Sequence, residues 1–396
     1  RPFASCDLLM RLGCCLLCVF VLVVSSCAAD PRDAYDARVA PESSVPEAAS
    51  VLVGEAADSV NNASEKIAND NERAPSTTIK KTATTEPREE FYVAPYRGTK
   101  VPSDLANSPR LALKVDNAPS ALPQQGIQWA DIVFEELVEG GLTRFLAIFH
   151  AHIPESVGPI RSARSSDVPL LVPFDGALFG SSGSNTAFQK LLETIGVQDA
   201  GAYRAPGYYF RRLDRPAPSD LWAKSKKLLG AASSHSYPAQ PLWEFDVSDT
   251  PRLQGSDQVQ GVEVNWGSSD VSFLWDDEVS AWRRFQNGEP HLALDENGEE
   301  IPIAPENLII QFTKYSLTEE VDVNGARIPL AEVAEGSGAA WVLRNGQLLE
   351  ARWTKPNITV HPQFVDGTGK SISMAPGSTW ILLAPRDSAR IVQEQD

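Results

Sequence analysis

Between residues 110 and 117 the run RLALKVDN alternates apolar and polar positions and ends in Asp116-Asn117. That two-residue period predicts a strand delivering polar side chains at its C-terminal end, where sites tend to form. The stretch ADIVFEELVEGGLTRFLAIFHAHIP then predicts two strands around Glu139-Gly140-Gly141. Ile132, Phe134, Glu136 and Val138 share one face, and Val133, Glu135 and Leu137 the other, so each face mixes a carboxylate with apolar residues. A helix from Ala130 to Glu139 competes, but β-branched content and the Gly-Gly turn favour the hairpin. From 175 the period changes. DGALFGSSGSNTAFQKLLETIG reads as a strand, a small-residue loop and a helix, with Ser184 or Asn185 as N-cap and Phe188, Leu191, Leu192 and Ile195 as its apolar stripe. PSDLWAKSKKLLGAASS predicts another helix starting near Ser219.

Further on, VSFLWDDEVSAWRRF, PENLIIQFT, AAWVLRNGQLLEARW and ISMAPGSTWILLAP are β-branched and aromatic runs separated by turn signals. Asn345-Gly346 fits a type I′ hairpin turn and Pro376-Gly377-Ser378 a second turn. The fold class read from these patterns is α+β, with a mixed α/β domain over 91–250 followed by a mainly antiparallel β domain over 255–396. Trp266, Trp275, Trp282, Trp341, Trp353 and Trp380 recur on the later strands. Such rings can stack on sugars, although core filling is their commoner role.

The first ninety residues look different. An apolar run from Leu12 to Val24 has the length of a signal segment rather than of a membrane span, and Val24-Ser25-Ser26-Cys27 resembles a bacterial lipobox. Residues 1–27 are therefore expected to be a lipoprotein signal peptide with Cys27 as the lipidated residue, acyl chains anchoring the protein at the extracytoplasmic face of the membrane. A plain secretory leader with incidental cysteines is the alternative. Residues 28–90 turn to Ala, Ser, Glu, Asp, Thr and Pro with few aromatics, a composition expected of a disordered spacer. The Asn62 and Asn357 sequons are chance matches in this context.

Charge narrows the partners. The 35 Lys+Arg against 52 Asp+Glu give a net charge of -17, which opposes nucleic-acid binding and repels an anionic bilayer, so membrane association is expected through the anchor. All five cysteines lie in the first 27 residues, leaving no thiol chemistry downstream. His150 and His152 would share a strand face, but no third ligand is spaced to join them; no metal or cofactor is expected.

The sharpest local signal is GPIRSARSS, residues 158 to 166, with Arg161, Ser162 and Arg164 behind a Gly-Pro turn. Guanidinium forks flanked by hydroxyls suit a phosphate, carboxylate or uronate. The same arginines, with Arg144, could instead pair internally with Glu135, Glu136 or Glu139. The ligand-binding candidates are thus Asp116, Asn117, Glu135, Glu136, Glu139, Arg144, Arg161, Ser162, Arg164 and Ser184, the last for the anion-attracting Gly/Ser loop. Arg211, Arg212 and Arg215 around Asp214 read as a solvated or salt-bridged surface.

The segments KVDN, ADIVFEELVEGGLTRFLAIF, VGPIRSAR, GALFGSSGS, GSGAAWVLRNGQLLEARW and GSTWILL resemble the YerB-like lipoprotein family, a two-part domain of unknown function. The resemblance spans essentially all of 91–390. It implies the architecture and the lipid anchor and carries no activity. Pro218-Ser219-Asp220-Leu221 departs from a Pro-His-Asn-Leu stretch expected of the family, so that histidine and asparagine have no counterpart here.

Three functions fit these features. One is a tethered binding or scaffold module for an anionic or glycan envelope ligand. Another is a cell-wall glycan or ester hydrolase, with two of Asp116, Glu135, Glu136 and Glu139 as acid and base. A third is an assembly factor for envelope proteins, acting through exposed β edges.

Overall fold

The computed structural model describes residues 91–233, 239–248, 253–322 and 325–393. The signal peptide with Cys27 and the spacer over 28–90 lie outside the described residues. Thr82–Asp396 is a compact unit by itself.

Its frame, among the described residues, is an eleven-stranded sheet. The centre is antiparallel: Leu111–Asp116 pairs with Thr143–Phe149, which pairs with Ile132–Leu137. The expected hairpin around Glu139-Gly140-Gly141 is present, with Gly140 and Gly141 at φ 74° and 73°. Leu178–Gly180 and Gln198–Asp199 extend one side in parallel. On the other side Thr379–Leu382 runs parallel to both Ile132–Leu137 and Asn307–Gln311. The hairpin Gly336–Arg344 and Gln347–Lys355 follows, turned by Asn345 and Gly346 at φ 52° and 71° as a type I′ turn requires. The two sequence regions divided near residue 250 therefore each supply one half of this sheet, and the halves join where Thr379–Leu382 pairs with Ile132–Leu137.

Both faces of this sheet are covered. On one, Leu113, Val133, Phe145 and Trp380 pack against Val262, Val264, Phe273 and Trp282 of a five-stranded antiparallel sheet built from residues 261–290 and 389–392. Trp266, Trp282, Trp353 and Trp380 are buried, in keeping with the core role of sheet tryptophans. On the other face Phe134, Leu146, Ile148 and Ile381 meet Leu171, Phe174, Phe188 and Met374. Leu111–Asp116 is consequently buried along its whole length, and the polar positions of its alternating pattern face protein rather than water.

Among the described residues strand predominates over helix, and the mixed α/β character expected of 91–250 is reduced there to three short helices, Asp167–Leu171, Thr186–Leu192 and Ser225–Leu228. Asn185 caps the second, its Oδ1 accepting from Phe188 N at 2.8 Å. The helix expected from Ser219 is displaced by a strand, Leu221–Ala223, because that segment pairs with Tyr209–Arg211 and buries Trp222. Tertiary pairing overrides the local helical preference there.

Candidate functional site

The central strands bring a row of charges to one face. Lys114, in mid-strand, and Glu136, on the hairpin, are both fully buried and paired, and Lys114 Nζ also donates to Asp167 Oδ1 at 2.8 Å. Asp167 closes the GPIRSARSS loop onto the sheet, its Oδ2 accepting from the Arg164 amide at 2.7 Å. Burial, reinforced by the Asp167 charge and opposed by Lys114, pushes the Glu136 carboxyl up to about 7.

The next residues outward are the arginines. Arg164 Nε donates to Glu139 Oε1 at 2.5 Å and its Nη1 to the carbonyl of Ala163 at 2.9 Å. Arg144 Nη1 donates to the carbonyl of Ser162 at 2.8 Å, and its Nη2 lies 3.9 Å from Glu139 Oε2. Burial, helped by the like charges of Arg164 and Arg161, pulls Arg144 down to about 10. Arg161 is held by its backbone, donating to the carbonyl of Lys114 at 2.8 Å and accepting from the Ser182 amide at 3.0 Å. Its side chain, 26% exposed, places Nε 3.3 Å from Asp116 Oδ2, without the alignment of a hydrogen bond. Asp116 also accepts from Ser219 Oγ at 3.1 Å, at the position where the family's histidine was expected.

These groups border a cleft of about 280 Å³ lined by Asp116, Glu139, Arg144 and Arg161 from the sheet end, and by Asp322 and Ala326 from a hairpin, Tyr315–Val321 with Arg327–Ala331. Tyr315 fixes the base of that hairpin, donating to the carbonyl of Leu383 at 2.7 Å and accepting from the Leu137 amide at 3.1 Å.

Glu135 lies on the opposite face. Its Oε1 accepts from Thr143 Oγ1 at 2.8 Å and from Arg284 Nη2 at 2.9 Å, all three groups being buried. Burial raises the Glu135 carboxyl, with Arg284 and Thr143 opposing. Arg284 lies over the rings of Phe145, Trp380 and Phe273 at 5.4, 5.6 and 5.8 Å, and also pairs with His291 Nδ1. His291 Nε2 donates onward to Gln124 Oε1 at 2.7 Å; burial and the Arg284 charge hold its ring well below the usual range, hence neutral. Asn117 joins this network, donating to Thr143 Oγ1 at 2.7 Å and accepting from Gln124 at 3.2 Å.

Of the ten candidates, Asp116, Glu136, Glu139, Arg144, Arg161, Ser162 and Arg164 therefore gather on one side of the hairpin, and Glu135 and Asn117 on the other. Ser162 meets Ser182 (Oγ to Oγ 3.2 Å), and Ser184 is not among the cleft residues. Sequence reasoning missed Lys114, Asp167, Ser219, Arg284 and His291. The charged Lys114 within an apolar strand was the one available signal. His150 and His152 do not share a face, since the strand ends at Phe149: His150 is buried edge-on to Tyr92 and Tyr96, and His152 is exposed against Trp129. Among the described residues no group of three His, Cys, Asp or Glu side chains could hold a metal ion.

This fold is shared with known proteins. Residues 98–238 match the N-terminal domain, and 262–381 the C-terminal domain, of the family described as "Protein of unknown function (DUF3048)", and the chain belongs to that family. It is 30% identical over 299 residues, 74% of this chain and 86% of the relative, to "Putative lipoprotein YerB" of Bacillus subtilis (strain 168). The crystal structure of the YerB protein from Bacillus subtilis superposes with a TM-score of 0.64 at 28% identity, covering 76% of this chain and 99% of that one.

Proposed function

We propose that this chain is a lipid-anchored protein of the bacterial cell envelope, tethered through Cys27 at the extracytoplasmic face, and that its arginine-bordered cleft binds an anionic group of an envelope ligand. The relative's description as a lipoprotein and the sequence Val24-Ser25-Ser26-Cys27 support the anchor. The observation that carries the binding reading is Arg161. Arg164 is committed to Glu139 and Ala163, and Arg144 to Ser162, whereas the Arg161 guanidinium borders the cleft with Nε unbonded and a loose contact to Asp116. A bidentate anion would complete its donors.

Paired-carboxylate hydrolysis has less support. Glu135 and Glu136 project from opposite faces of one strand, and neither lines the cleft. Of the carboxylates that do, Asp116 and Glu139 already face arginines, and Asp322 accepts from the Ala326 amide at 2.8 Å.

The test is the thermal midpoint of Thr82–Asp396 with phosphorylated and uronate-bearing wall fragments. A fragment should raise the wild-type midpoint and leave Arg161→Gln unmoved, the two unliganded midpoints being similar. Arg164→Gln should lose about 3 kcal/mol without any ligand, because it leaves the largely buried Glu139 with only its 3.9 Å contact to Arg144. An equal ligand shift in Arg161→Gln would overturn the assignment.

A further inference from the structure

Lys114, Glu136 and Asp167 form a closed triad of charges inside the core. Register places Lys114 opposite Leu146 and Leu146 opposite Phe134, and Glu136 follows Phe134 by two residues, so these four side chains share one face of the sheet. Asp167, at the start of helix Asp167–Leu171, comes down on that face from the arginine loop. The three charged side chains have no exposed surface and sit in the core layer of Phe134, Leu146 and Val168. Lys114 Nζ donates to Glu136 Oε1 and, at 2.8 Å, to Asp167 Oδ1; Cγ of Asp167 is one bond beyond that oxygen. Asp167 Oδ2 accepts from the Arg164 amide at 2.7 Å, and Glu136 Oε2 is buried without a partner.

One cation facing two carboxylates in a site closed to water is costly to hold as an ion cluster. An amine pressed against one carboxyl, with a second carboxyl touching the same amine, also supplies every group that an amide condensation needs. We infer that Lys114 and Asp167 join through an intramolecular isopeptide bond, with Glu136 as the proton relay. The Lys114 ammonium passes a proton to Glu136, and the freed lone pair attacks Cγ of Asp167. Negative charge growing on Oδ2 is met by the Arg164 amide. The Nζ–Cγ bond forms and the Cγ–Oδ1 bond breaks, Oδ1 leaving as water with two protons of the former ammonium, both handed on by Glu136. Nothing is oxidised or reduced, and Glu136 is regenerated beside the new amide. Raised to about 7 by burial and the Asp167 charge, with Lys114 opposing, its carboxyl can take up and release a proton near neutrality. Two effects drive the step forward. Groups held in contact react at an effective concentration on the order of 10⁵ M or more, and one neutral amide replaces a buried cation and a buried anion, removing their desolvation cost. All five cysteines lie in the first 27 residues, so no disulfide can brace the folded unit. The isopeptide links residues 53 apart in sequence and ties the arginine loop to strand Leu111–Asp116. It does so whether or not Arg161 grips a ligand, and so stands apart from the binding reading.

Thr82–Asp396 buries both core layers with its own residues and is the chain to measure. Its intact mass under denaturing conditions should fall short of the sequence mass by one water. Trypsin should leave the bond after Lys114 uncut, and fragmentation should show a branched peptide joining Lys114 to Asp167. Lys114→Arg, which keeps the cation but cannot form the amide, and Glu136→Gln, which keeps the shape but removes the relay, should both show the full sequence mass. The wild-type measurement decides the matter without relying on either variant to fold. A folded wild-type chain at its full sequence mass would overturn the inference. So would a missing water traced to a linear peptide holding Asp175-Gly176 or Asp366-Gly367, where a succinimide can form without Lys114. A branched peptide in Glu136→Gln as abundant as in wild type would strike out Glu136 as the relay.

Discussion

Glu136 shows what it costs a single carboxylate to sit inside this sheet. Its folded pKa, about 7, lies above its ordinary value of 4.5, so between these pH values the folded chain holds a proton that the unfolded chain has released. Stability must then fall as pH rises through that window, by up to about 3 kcal/mol, with the loss complete above pH 7. Asp131, pushed up to about 6 by burial despite Arg97 and two backbone donors, adds a slope of the same sign. Glu136→Gln should therefore flatten, without abolishing, the decline in urea midpoint between pH 5 and 7.5; a decline as steep as in wild type would show that Glu136 does not titrate there. The pair of Glu139 with Arg164 was legible in the sequence because both belong to short-range features, a hairpin turn and an arginine loop. Glu135 with Arg284 was not, since 149 residues separate them and the face that Glu135 occupies is covered by a sheet from the other end of the chain.

At the scale of elements, the Gly-Pro turn that opens the arginine loop has a physical reason in the hairpin of Tyr209–Arg211 with Leu221–Ala223. A Cβ on Gly158 would lie 2.6 Å from the ring of Trp222, while the Gly158 amide and carbonyl are both bonded to Gln125. The backbone cannot retreat, so Gly158→Ala should destabilise the fold by about 2 kcal/mol in chemical denaturation. Trp222→Leu in the same chain should recover part of that loss, giving a coupling that two independent lesions would not. The sequence identified a turn at this place without its constraint, because the ring arrives from a segment that reads as helix. The hairpin at Glu139 and the type I′ turn at Asn345-Gly346 were legible for the converse reason. Their glycines and flanking strands are adjacent in the chain, and local signals suffice.

The two halves of the chain are tied at one seam in the sheet. Thr379–Leu382, near the C-terminus, lies between Ile132–Leu137 and Asn307–Gln311, parallel to both, and so fills a slot that chain order alone does not reveal. Trp380 on this strand packs edge-on to Phe145 from the first region and to Phe273 from the second, while Arg284 bonds Glu135 across the same core. Separating the chain near residue 250 would expose the open edge of Ile132–Leu137 and leave Glu135 buried without its cation, two lesions that neither piece can repair alone. We therefore expect Thr82–Asp396 to unfold in one cooperative step, with intrinsic fluorescence and far-UV circular dichroism giving coincident urea transitions. Residues 91–250 and 255–396 expressed separately should be insoluble or unfolded and should recover native signal when refolded together. Two resolved transitions, or a soluble folded 91–250 fragment with sharp amide dispersion, would mean that each region closes its own core and that the shared strand is a docking contact between separable domains.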